Sequence, residues 1–286
     1  MKKRKKCVTR KKPNLTTFIM VFKITFKVLK QGAVLPYSYQ YELSAWIYKM
    51  ISSSNSQLAT FLHSKGYGQG FKNFKLFTFS NLYIPRFKNT PEGLKILSPT
   101  VDFTISFLVD EVAASMIQPL FEQQTFTLGN KQSQVPLKVD GILTQPLDIT
   151  SNTLRLRTTS PIVVSTFEVV NDQGKTQAKY LHPHDERYEA LFFKNLLDKH
   201  QSAVYHQIIA PAAAPLAAQP MQLRVLGQKV RSKLVEIKAN TAAATKVRGY
   251  LFDFEVTAPQ ELLKVGYLAG FGGQSAMGFG TCKMLK

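Results

Sequence analysis

The chain is 286 residues long, which suits two domains of ordinary size, and 44% of it is hydrophobic, with 20 Phe and 11 Tyr to build cores. Lys and Arg outnumber Asp and Glu by 37 to 18, a formal charge of +19 that points to a polyanionic partner. No apolar run approaches the roughly 18 residues of a membrane span, and the basic start lacks the apolar stretch of a secretory signal. Cys7 and Cys282, at opposite ends, suit neither a disulfide framework nor a cysteine zinc site, so a cytoplasmic protein is expected.

Residues 1–19 read as a disordered basic arm. Lys2 to Lys12 holds eight basic and no acidic residues, and removing them from +19 still leaves a body of +11. Val21 to Val28 alternates apolar and polar side chains as a half-buried strand does. After Pro36, residues Tyr39, Leu43, Trp46, Ile47, Met50 and Ile51 recur at helical spacing, with Ser38 as a candidate N-cap. A second helix is expected from Ser56 to His63, ending near Gly66. Strands at Phe74 to Ser80 and Thr100 to Val109, a helix at Glu111 to Gln123 and a strand at Val135 to Leu143 complete the set. Strand, helix, strand, strand, helix, strand is the ferredoxin-like order.

The same order recurs downstream. Leu154 to Val170 reads as paired strands, Asp185 to His200 as a helix, and Met221 to Ala239 as a basic β-hairpin. Gly249 to Val256 reads as a strand, Pro259 to Leu268 as a helix with proline in its first turn, and Gly280 to Leu285 as a last strand. The expectation is therefore an α+β protein of two tandem ferredoxin-like (RRM-like) domains, residues 20–148 and 149–286. Each would be an antiparallel sheet with helices on one face, and the linker would fall near Gln145 to Asn152.

Two features point to RNA chemistry. The stretch from Gly270 to Gly280 places Gly270, Gly272, Gly278 and Gly280 between a helix and a strand, where glycine lets the backbone reach positive φ and a phosphate approach the amides. A dinucleotide-binding loop does not fit, because Ser275 stands where that fingerprint needs a third glycine and no strand precedes the loop. Arg224, Lys229, Arg231, Lys233 and Lys238 face only Glu236 in the same run, and Lys229, Arg231 and Lys233 would align along one side of a strand. His182 and His184 lack an evident third ligand, so no metal is assigned.

The glycine spacing resembles the hallmark of the CRISPR-associated repeat-processing endoribonucleases, the Cas-six family, in which G-x-G, five residues and G-x-G follow a helix. Leu263 to Tyr267 before the loop, Leu35 to Tyr41, Trp46 to Lys49, Phe61 to His63, Phe74 to Ser80 and Thr159 to Val164 are similar to further family blocks and occur in the same order. The resemblance implies two ferredoxin-like domains and metal-independent cleavage of repeat RNA by its own 2′-hydroxyl. It implies His63 as acid or base, Tyr48 as its assistant and Lys75 as the cation facing the phosphate, with Lys72 an alternative because the loop after His63 is long. Gly270, Gly272, Gly278, Gly280, Lys229, Arg231, Lys233 and Lys72 would contact RNA. The implied partners are precursor and mature CRISPR RNA, with other effector subunits as further candidates, for a monomer or homodimer that needs no cofactor. The rival reading is a subunit that holds guide RNA without cutting it.

Overall fold

The computed structural model describes residues 20–69, 72–122, 124–169, 174, 176–238 and 244–285. The basic arm, Cys7, Gly70, Phe71, and the expected element ends at Gln123, Val170 and Ala239 lie outside the described residues.

In the first half, β1 (Met20–Val28) leads to helices α1 (Gln40–Ser54) and α2 (Ser56–Ser64), then β2 (Phe77–Phe79), β3 (Thr100–Phe107), α3 (Asp110–Ile117), β4 (Thr125–Gly129) and β5 (Gln134–Pro146). The antiparallel sheet runs β2-β3-β1-β5-β4, which is the ferredoxin-like order with β4 added at one edge. Alternation along β1 buries Ile24 and Phe26 completely, while Lys23 and Lys27 point away from the core. α1 covers that face with Leu43, Trp46, Ile47 and Met50. Trp46 stacks on Phe126 at 4.4 Å between centroids and meets Phe26 edge-on at 5.4 Å. Each such side chain contributes about 1.5–3 kcal/mol by leaving water.

In the second half, β6 (Thr153–Thr158), α4 (Tyr188–Tyr205), β7 (Gln222–Ile237), β8 (Thr245–Thr257), α5 (Gln260–Ala269) and β9 (Cys282–Met284) repeat the plan, with sheet order β7-β8-β6-β9. The two ferredoxin-like domains expected from the sequence are both present. α5 buries a broad apolar face because it serves both cores: Leu262 and Leu263 pack in the second, while Val265, Leu268 and Ala269 pack in the first.

Several boundaries differ from the sequence reading. Phe74 to Ser80 is not one strand: Lys72–Phe74 pairs with Tyr67–Gln69, and the chain then turns through buried Leu76 at φ 55° before β2. α3 stops at Ile117, since Pro119 has no N–H to continue it, and a 3-10 turn follows over Gln118–Phe121. β7 is a single long strand paired with β8, not a self-contained hairpin; the register shifts between Leu226 and Arg231, where Gly227 adopts φ 70°. β6 ends before Pro161, and Ser165–Val169 forms a separate hairpin with Thr176–Tyr180. Ser38 does not cap α1; its hydroxyl accepts from the Glu236 amide at 3.3 Å, whereas Asn55 caps α2 by accepting from Leu58 N–H at 2.9 Å.

Candidate active site

α1 and α2 pack side by side and place Tyr48 and His63 together. The rings meet edge-on with centroids 6.1 Å apart, and Tyr48 also abuts Phe77 at 5.9 Å. His63 is exposed in the last turn of α2, and the helix closes at Gly66, whose amide donates to the Phe61 carbonyl at 2.7 Å with φ 66°. The hairpin after Gly66 returns the chain so that Lys75 Nζ donates to the His63 carbonyl at 3.4 Å. A cation there complements the free carbonyls at the helix C-terminus.

These three side chains line a cleft of about 540 Å³ whose other wall is Gly272 to Met277 of the glycine loop; Tyr41, Ser44 and Lys238 also border it. Among the described residues its lining contains no Asp or Glu, so its field is cationic. Burial pushes the Tyr48 hydroxyl up to about 12, which keeps it protonated and able to donate at neutral pH. Burial also draws the Lys75 ammonium below the ordinary lysine value.

The four glycines of the hallmark are buried, and the close approach they permit is to protein. At Gly278, with φ 82°, a Cβ would stand 2.7 Å from the Phe79 ring. At Gly272, with φ 79°, it would stand 2.4 Å from the Val163 carbonyl oxygen. Polar contacts add to this docking: Ser44 Oγ donates to the Ala276 carbonyl at 2.7 Å, and Thr78 Oγ1 to the Phe279 carbonyl at 2.9 Å. The loop therefore clasps the two domains, and its outer residues Gly273 to Met277 face the cleft.

Other sequence candidates lie elsewhere. Lys72 pairs with Asp198 of α4 at 2.5 Å and does not line the cleft. Lys229 and Arg231 border a separate groove of about 790 Å³ together with Arg157 and Asn81, while the bulge interrupts their simple alternation. Lys233 instead lies over the Tyr39 ring at 5.7 Å, and burial lowers its ammonium to about 8. His182 and His184 sit side by side near Tyr250, and the described residues contain no cluster of three or more metal-binding side chains.

The sequence reading missed Lys199, Arg157 and Ser44. Lys199 carried a usable signal: it is a lysine within the apolar stripe formed by Phe192, Leu196 and Ala203, and such a position must bury its charge. None of the described helices is long and apolar enough to cross a membrane.

The chain matches the family models described as "CRISPR-associated protein Cas6, N-terminal" over residues 34–136 and "CRISPR associated protein Cas6, C-terminal" over residues 143–284. It is 31% identical over 248 residues to the CRISPR-associated endoribonuclease Cas6 1 of Methanocaldococcus jannaschii, covering 86% of each chain. It is 28% identical over 252 residues to the CRISPR-associated endoribonuclease Cas6 of Pyrococcus furiosus, covering 87% of this chain and 83% of that one. A solved structure of a Cas6-related protein from Pyrococcus furiosus shares the fold with a TM-score of 0.77, over 94% of this chain and 99% of that one at 24% identity. With both halves matched and a relative above 30% identity across most of its length, this chain belongs to the Cas6 family.

Proposed function

We propose that the protein is an endoribonuclease that binds CRISPR repeat RNA and cuts it by attack of the 2′-hydroxyl on the adjacent phosphate. The products are a 2′,3′-cyclic phosphate and a 5′-hydroxyl. The observation that carries this reading is the meeting of His63, Tyr48 and Lys75, from three separate segments, in one cationic cleft beside the glycine loop. The nucleophile belongs to the substrate, so the protein must supply proton transfer and charge stabilisation; no divalent metal is required for either. His63, exposed at the cleft, takes the proton of the 2′-hydroxyl or delivers one to the departing 5′-oxygen. Tyr48 acts as a donor to the phosphate, since its hydroxyl stays protonated. Lys75 offsets the charge added at the pentacoordinate phosphorus. The outer face of the loop guides the backbone past these groups, and Lys229 and Arg231 offer further phosphate contacts in the separate groove.

The test combines His63→Ala with a single 2′-deoxy nucleotide at the cleavage site. His63→Ala should slow cutting by roughly a hundredfold to ten-thousandfold with RNA affinity preserved. The deoxy substrate should resist every variant, and EDTA should change neither result. Cutting of the deoxy RNA, or loss of activity in EDTA, would refute the mechanism. A wild-type protein that binds the repeat without cutting would establish the rival reading of an RNA-holding subunit.

A further inference from the structure

Lys199 of α4 is 1% exposed, and the described residues place no carboxylate in contact with its ammonium. Its Nζ donates instead to three main-chain carbonyls: Ala269 at 3.1 Å, Gly270 at 2.5 Å and Gly272 at 2.8 Å. Ala269 ends α5, where the last carbonyls lack partners within the helix, and Gly270 leaves it at φ 85°. Lys199 therefore caps α5 from another helix and fixes the first turn of the glycine loop in the same contact.

Its neighbours on α4 and the capping residue His206 hold the opposite wall. Ser202 Oγ donates to the Tyr67 carbonyl at 2.8 Å, His206 Nε2 lies 3.1 Å from the Gly68 carbonyl, and Asp198 pairs with Lys72. These three contacts grip the hairpin that links His63 to Lys75. One helix of the second domain thus references both walls of the cleft.

We propose that Lys199 is a positioning residue for RNA cleavage, clamping the 269–272 turn so that Gly273 to Met277 stands in register with His63, Tyr48 and Lys75. This rests on the reading of the cleft as the cleavage site. Lys199 is not itself catalytic, because all three of its N–H bonds are committed to carbonyls and none is left for a phosphate. The full tripod requires the ammonium, since a neutral amine has only two N–H groups for three acceptors. Burial draws its pKa down to about 7, while the three carbonyls act in the opposite direction by favouring the charged form.

The experiment compares wild type with Lys199→Met, which keeps an unbranched chain as far as Cε and removes every donor, and with Lys199→Gln, which keeps two donors without charge. Three quantities are read well below each protein's melting temperature. They are the single-turnover cleavage rate at saturating protein, Kd for the uncleavable 2′-deoxy repeat, and amide hydrogen exchange across residues 270–280. Lys199→Met should slow single-turnover cleavage by about tenfold to a hundredfold, as a misplacement near 1 Å does, with Kd within about threefold. Exchange should quicken in the loop and stay unchanged in β1 and β3, and Lys199→Gln should recover part of the rate. If Lys199→Met fails to fold, the same rate, Kd and exchange comparison is made with Lys199→Gln against wild type. A folded variant with wild-type rate and unchanged loop exchange overturns the proposal. So does a rate loss matched by an equal loss of affinity. A wild-type protein that never cuts would defeat the cleavage reading, and the clamp's role in cleavage with it, whereas loop exchange would still report whether the clamp itself exists.

Discussion

Gly278→Ala isolates the reason for glycine in the loop. At φ 82° an L-residue pays about 1–2 kcal/mol for left-handed backbone. The new methyl would stand 2.7 Å and 3.0 Å from two atoms of the Phe79 ring, which is fully buried in the first core and has little room to retreat. Overpacking of that kind costs about 1–3 kcal/mol, so the total destabilisation should be about 2–5 kcal/mol. Gly273→Ala is the internal control: its nearest neighbour is the Val163 carbonyl oxygen at an ordinary 3.7 Å, so its cost should stay within about 0.5 kcal/mol. Urea unfolding followed by the fluorescence of Trp46, the single tryptophan and a first-core residue, measures both. A Gly278→Ala protein with the wild-type midpoint would refute the packing argument and return the glycine to the service of a ligand. Because Gly273 borders the cleft and has space, it is also the position at which loop contact with RNA can be probed without disturbing the fold.

Lys199 should make stability depend on pH. Its ordinary value is 10.5 and its folded value is drawn toward 7, so between the two the unfolded chain holds a proton that the folded chain has released. Stability relative to Lys199→Met should therefore rise with pH across that window, by at most about 1.4 kcal/mol per unit, whereas a constant gap from pH 7 to 10 would mean that the three carbonyls outweigh burial and keep the ammonium charged. The two candidate lysines should separate cleanly. Lys72→Ala breaks a half-exposed pair worth about 0–1 kcal/mol, leaves the Ser202 and His206 contacts to hold the hairpin and should keep the cleavage rate within about threefold, whereas Lys75→Ala should lose roughly a hundredfold. Equal losses in single-turnover assays would mean that Lys72 leaves Asp198 when RNA binds.

What was legible in the sequence was local. Period-2 alternation from Val21 to Val28 and the helical stripe from Tyr39 to Ile51 name the buried face of each element, and the order of such elements is enough for two ferredoxin-like domains. The spacing of Gly270, Gly272, Gly278 and Gly280 was likewise visible, since positive φ is a demand on a single residue. Periodicity says that a face is buried, however, and not against what. Only the tertiary structure supplied Phe79 and Val163 as the reason for two of those glycines, sent Lys72 to Asp198 and left Lys75 beside His63. Leu76 shows the same limit from the other side: its neighbours favour a strand, yet the hairpin behind Gly66 and the pairing of β2 with β3 force a left-handed turn on it. The clamp at Lys199 was decided furthest from the sequence. Its three acceptors are main-chain carbonyls about 70 positions away, carried by no side chain, and they exist as a site only because α4 and α5 pack together.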